Sequence, residues 1–202
     1  MMQASRMNII LIMLSAFLAV ACSSTRSQYY VLDSIAAQKP AVEAASSLSL
    51  SSIAITQLEI PNYLDRPHMV SRDAGNQLQI AEYDQWGGRL RDNIARTLAD
   101  DLAARLPHVT VSAAPMPGSM DAEVQLLVDI RQFERLHDGR VHLKLQWHVR
   151  HAQQEKMQSH LEHLQSEQSI GAGDYDAIAA AMSQLLAQLA ENMADTLLKE
   201  RQ

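Results

Sequence analysis

EVQLLVDIRQFERLHDGRVHLKLQWHVRH, residues 123–151, reads as two strands folded back on Asp138-Gly139. In the second run Val141, Leu143, Leu145, Trp147 and Val149 alternate with His142, Lys144, Gln146, His148 and Arg150. Side chains of a strand point to opposite faces in turn, so one face is dry and the other wet. That is the pattern of an antiparallel sheet covered on a single side. Asp-Gly is favoured where a hairpin turn needs a positive φ. In the first run Val124, Leu126, Val128 and Ile130 alternate, and Phe133 then falls out of step. One extra residue near Arg131–Gln132, a β-bulge, restores the register.

Working outward, further strands are expected at Tyr29–Asp33, Leu48–Ile60, His108–Ala113 and, more polar and near an edge, Lys156–Ser169. Met69–Arg72 and Gln77–Tyr83 flank the turn sequence Asp73-Ala74-Gly75-Asn76 and predict a second hairpin. Residues 34–47 (SIAAQKPAVEAASS) read as a surface linker, and Pro115–Ser119 as a loop.

Two segments carry helical periodicity. In Trp86–Leu106 the residues Trp86, Leu90, Ile94, Leu98 and Leu102 recur every fourth position. Arg91, Asp92, Arg96, Asp100 and Asp101 supply its wet face, while Gly87-Gly88 disfavours the first turn by about 1 kcal/mol per glycine. In Asp174–Glu200 the stripe is Ile178, Met182, Leu185, Leu189, Met193 and Leu197, with Asp174 as N-cap. A one-sided sheet and two amphipathic helices predict an α+β fold: a two-layer sandwich, its sheet largely antiparallel, with both helices on the dry face. Residues 29–202 are expected to form one domain.

The N-terminus reads as an address. Arg6 is followed by the 13-residue run Ile9–Ala21, apolar except for Ser15, which is shorter than the ~20 residues of a membrane span. It closes on Ala19-Val20-Ala21 and then Cys22, the only cysteine of the 202-residue chain. Residues 1–21 thus look like a bacterial lipoprotein signal with Cys22 as the acylated residue, although Ala19 stands where such signals usually carry Leu. An ordinary signal peptide beside a chance cysteine is the alternative. A lone cysteine has no internal partner for a disulfide. Ser23, unlike an Asp there, permits sorting to the outer membrane. Residues 22–28 form a short tether, so the body must sit close to the bilayer.

The formal net charge is −6, one unit more negative once Arg6 leaves with the leader. Nothing in this composition suggests a nucleic-acid partner. There is no G-x-S-x-G, P-loop or Gly-rich dinucleotide loop, so no enzyme is expected. Of the eight histidines, His142 and His148 share a strand face about 20 Å apart, too far for one metal. His160 and His163 fall on opposite faces, with a cross-strand pairing to His148 or His151 left open. No metal site and no cofactor are expected beyond the lipid on Cys22. Asp65-Arg66 is read as an ion pair shaping a loop or as part of a partner surface, in preference to catalysis. Trp86 is read as a core residue.

Three blocks together are similar to the PqiC family of ABC-type transport auxiliary lipoproteins: the cysteine followed by YYVLDS, the segment IAITQLEIPNYLDRPHMVSR (53–72), and QWGGRLRDNIARTLADDLAARLP (85–107). The family pattern falls on Pro61, Tyr63, Leu64, Asp65, Arg66, Pro67, Val70, Arg72 and Trp86, with Asn62 between Pro61 and Tyr63. Gly87-Gly88 and a His/Gln-rich stretch at 152–170 depart from it. The resemblance implies an outer-membrane lipoprotein on the periplasmic face. Such a protein works with an MCE-domain protein and inner-membrane subunits in intermembrane lipid transport and supports membrane integrity. It implies docking of the transport tunnel, with Asn62, Tyr63, Leu64, Asp65, Arg66 and His68 as candidate contacts, and self-association into a homo-oligomeric ring. The alternative is an independent lipid-binding lipoprotein with an apolar cavity for phospholipid between helices and sheet.

Overall fold

The computed structural model describes residues 26–35, 50–152 and 156–199. The leader, Cys22 and most of the 34–47 linker lie outside them. Within these residues the elements run β1 (Gln28–Tyr30), β2 (Ser52–Glu59), β3 (His68–Arg72), β4 (Leu78–Trp86), α1 (Leu90–Arg105), β5 (Thr110–Ala113), β6 (Val124–Arg135), β7 (Val141–His151), β8 (Met157–Gln165) and α2 (Tyr175–Lys199).

The β6–β7 hairpin is the spine. Its antiparallel register runs from Val124↔His151 to Arg135↔Val141 and slips between Ile130 and Gln132, the bulge that the misplaced Phe133 demands. All five apolar residues of β7 are buried. Gly139, at φ +81°, makes the turn, and Asp138 Oδ1 accepts the Arg140 N–H at 3.0 Å. β8 adds antiparallel to β7. On its other edge β6 meets two strands in succession: β2 beside residues 124–129 and β3 at Arg135, both parallel. β5 extends β2 in parallel, β4 extends β3 antiparallel, and β1 ends that branch parallel to β4. The sheet is therefore mixed, with antiparallel pairing predominant along the β6–β7–β8 meander. The β2–β5 pair is parallel because the chain between these strands returns through α1.

α1 packs on β2 and β5, α2 on β6, β7 and β8, and the helices on each other. Leu90, Ile94, Leu98 and Leu102 join Ile178, Leu185, Leu189 and Met193 and the dry face of the strands in one hydrophobic cluster. The ion pair of Arg105 Nη2 with Glu191 Oε1, 2.6 Å, links the helices. Asp174 Oδ1 accepts the Ala177 N–H at 3.1 Å, as an N-cap should. The expected α+β two-layer sandwich is the fold observed.

Local expectations are corrected at three points. Trp86 does not open α1; it ends β4, buried, with its N–H donating to Pro67 O at 2.7 Å. Gly87 then donates to Tyr30 O at 2.7 Å, and the helix begins only at Leu90. The strand expected at Tyr29–Asp33 stops at Tyr30. Residues 31–35 instead cross the helices as a strap, held by Thr97 Oγ1 donating to Leu32 O and by Ser183 Oγ accepting from Asp33 N–H, both at 3.2 Å. That strap buries Asp101, expected on the wet face, whose Oδ1 accepts from Ser34 Oγ (2.6 Å) and Ile35 N–H (3.1 Å).

Candidate docking site

β2 must end near Pro61, whose ring nitrogen has no hydrogen to give a neighbouring strand. The chain turns there: Leu64 N–H donates to Pro61 O at 2.9 Å and Arg66 N–H to Leu64 O at 2.8 Å. Leu64 drops into the core.

The loop is stapled to the outer face of the sheet through Glu134. Tyr63 Oη–H donates to Glu134 Oε2 at 2.9 Å. Arg72 gives Nε to Glu134 Oε1 at 3.1 Å and stands at 2.8 Å from the same oxygen through Nη2. Nη2 also donates to Tyr63 Oη at 3.2 Å, and the guanidinium lies 5.5 Å above the Tyr63 ring centre. Gln132 Nε2 (3.2 Å) and Phe133 N–H (3.0 Å) complete the shell of the carboxylate, which is fully buried. A buried carboxylate persists only when paired and hydrogen-bonded in this way. Burial and the neighbouring Glu134 push the Tyr63 hydroxyl far above its ordinary pKa, so it remains a donor.

On this frame the six candidate contacts divide. Asn62 and Asp65 are exposed, Arg66 and His68 half-buried, while Tyr63 and Leu64 hold the loop from beneath. The ion pair expected within Asp65-Arg66 does not form: the cation near Asp65 is Arg89, at 3.8 Å. The loop is shaped by the Glu134 cluster and its own backbone bonds. Arg66 Nε is buried with no hydrogen-bond partner among the described residues. Asp65, Arg66, Pro67, Trp86, Gly88 and Arg89 line a cleft of about 420 Å³. At Arg89 it meets a longer groove of about 870 Å³ between α1 and β2–β5, floored by Ile55, Leu58, Ala95 and Ala99 and rimmed by Arg91 and Arg96. This is a recessed surface with both charge signs at its rim, suited to binding.

The histidines are brought together otherwise than expected. His163 meets His142, Nε2 to Nδ1 at 3.2 Å with rings stacked, rather than His148 or His151. The register sets His163 against Lys144, diagonal to His142 on the same face. His142 also faces Asp138 Oδ2 at 2.8 Å and is buried. His148 bonds Ser159 Oγ at 2.8 Å, and His160 stacks on Trp147 from the other face. Among the described residues no group of three or more His, Cys, Asp or Glu side chains could hold a metal. Sequence reasoning missed Glu134; the one signal of it was the break in alternation at Phe133.

Residues 30–194 match the profile of the ABC-type transport auxiliary lipoprotein component family. The chain belongs to that family. The intermembrane transport lipoprotein PqiC of Escherichia coli is 24% identical over 147 residues, 70% of this chain and 73% of that protein. PqiC of Shigella flexneri aligns to the same extent. An uncharacterized protein of known crystal structure shares the fold with TM-score 0.69 and 23% identity, covering 86% of this chain and 99% of that one. A Xanthomonas campestris protein does so with TM-score 0.63 and 16% identity, covering 85% and 95%. Membership makes the chain an auxiliary lipoprotein of a transport system in the cell envelope, and the family is not one of enzymes. The motif residues that carried the resemblance, Tyr63 and Arg72 above all, are the ones that close on Glu134.

Proposed function

We propose that this protein is acylated at Cys22, anchored on the periplasmic face of the outer membrane, and docks the far end of an MCE-type lipid-transport tunnel that starts at the inner membrane. The loop Asn62–His68 and the cleft beside it are the docking surface. The single observation that supports this most is the loop's construction: a buried, fully bonded Glu134 fastens it to the sheet, yet Asn62 and Asp65 are exposed at the surface. Preorganised surfaces bind with less ordering cost. Self-association into a ring would set several such loops around the tunnel mouth.

The test is a photo-crosslinking residue at position 62 or 65 of the full-length lipoprotein in its own envelope, followed by mass spectrometry of the adducts. An MCE-domain protein is the expected catch. Adducts confined to lipid and to other copies of this chain would remove the docking role.

The groove between α1 and β2–β5 favours a second reading, a module that itself carries phospholipid. Its floor is apolar and its volume, about 870 Å³, is of the size of small-molecule sites. Native mass spectrometry of the domain without its anchor separates the two: retained phospholipid supports carriage, and its absence supports docking alone.

A further inference from the structure

The edge at which the chain enters the fold carries an exposed apolar row that the docking site leaves unused. β1 pairs with β4 and, among the described residues, has no strand on its other side. The register sets Tyr29 against Gln85, and Tyr83, also exposed, stands two residues earlier on β4. Val31 continues the row two residues on, and a Cβ at Gly87 would stand 3.0 Å from its Cγ1. Glycine at 87 thus leaves room for the Val31 side chain. Tyr30, between Tyr29 and Val31, and its partner Trp86 turn inward to the core. Tyr29, Val31 and Tyr83 are 67%, 51% and 38% exposed. Tyrosine at a lipid headgroup buries its ring and keeps its hydroxyl wet, which is why it gathers at membrane interfaces.

The length of chain ahead of this row says what covers it. Five residues separate Cys22 from Gln28, a reach of roughly 20 Å at full extension. A domain held so closely by its own edge strand must present that edge to the bilayer. The local charge narrows the lipid. Asp84, Asp174 and Asp176 lie close enough to Tyr30 to help burial push its hydroxyl to about 12. Exposed Arg26 in the tether offsets part of this charge, and ethanolamine headgroups, which carry both signs, suit an edge of mixed charge.

We infer that the Tyr29–Val31–Tyr83 row is the surface on which the folded domain rests against a zwitterionic phospholipid leaflet, a conclusion that depends on acylation of Cys22. The row orients the domain on the membrane, with β1 downward and the β8 edge away from it.

Hydroxyl-radical footprinting of the purified full-length lipoprotein tests this in vesicles of phosphatidylethanolamine and phosphatidylcholine. The reference is the same protein as Cys22→Ala without its leader and without vesicles. Modification of Tyr29 and Tyr83 is expected to fall at least fivefold in the vesicles. Met157 and Leu161 on the far strand β8, 46% and 74% exposed, are expected to keep their labelling. Undiminished labelling of the two tyrosines in acylated protein overturns the inference. Equal protection in the vesicle-free protein marks contact between copies and overturns it too. An intact mass lacking acyl chains instead defeats the lipidation reading, so the two failures are told apart.

Discussion

Glu134 shows how much one residue can organise. Its carboxylate accepts from Tyr63, Arg72, Gln132 and the Phe133 backbone, tying the motif loop to the spine of the sheet. Glu134→Ala is expected to cost about 2–3 kcal/mol, since hydrogen bonds to charge are worth about 1.5–3 kcal/mol and Arg72, partly exposed, recovers some hydration. Tyr63→Phe removes the bond to Glu134 and the one accepted from Arg72, and should cost about 2 kcal/mol. Urea unfolding checks both, and equal midpoints for wild type and Glu134→Ala would contradict the network. His163 gives a pH dependence. Burial, Lys144 and His142 hold its imidazole below the ordinary 6.5. In the unfolded chain it takes its proton near 6.5, and in the folded chain only at lower pH, so the unfolded state binds more protons between the two. Stability should therefore drop as pH falls through that window, with Lys144, His142 and Asp138 as the facing charges. His163→Gln should flatten the slope of the urea midpoint between pH 7.5 and 5.5, and an unchanged slope would assign the effect elsewhere.

At the scale of elements, the turns and caps follow local rules and the termini do not. Asp138-Gly139, the Arg131 bulge and the Asp174 cap sit where residue type and alternation put them. Gly139 has both a left-handed φ and no room, since a Cβ there would stand 2.0 Å from Ser169 Oγ. Gly139→Ala should cost about 1–2 kcal/mol from the backbone alone. Thermal unfolding would register this as a lowered midpoint, and an undisturbed midpoint would mean that the turn rearranges freely. Trp86 escaped the same reasoning because its spacing from Leu90 is helical. What decides its state is the Pro67 carbonyl and the β1 strand beside it, neither of which is a local neighbour in sequence. Asp101 was likewise placed in solvent because the strap that covers it comes from nearly seventy residues away.

For the whole molecule, the proposed anchor at Cys22 makes position relative to the membrane the central quantity. Cys22→Ala is expected to move the protein from the membrane fraction to the soluble fraction or to leave it with an uncleaved leader, and to abolish rescue of a transport defect. Full rescue by an unacylated periplasmic form would show that the anchor is dispensable. The proposed function and the inferred membrane contact give the domain two separate working surfaces: the loop and cleft around Asp65 and Arg89, and the β1–β4 edge next to the tether.

Alternation in β6 and β7 and the fourfold spacing of the two helices determined, from sequence alone, the layers, the core and the α+β class. They could do so because burying one face of each element is a local pattern repeated many times. The family could be read from the Pro61–Arg72 block and the Trp86 block, since these residue types recur at fixed spacing. Tertiary structure alone decided that β2 runs parallel to β6, that His163 finds His142, and that Glu134 lies beneath Tyr63 and Arg72. Each is a contact between segments whose register depends on every strand between them. A single polar residue that meets its partners only after the sheet has assembled leaves no periodicity in the chain to announce it.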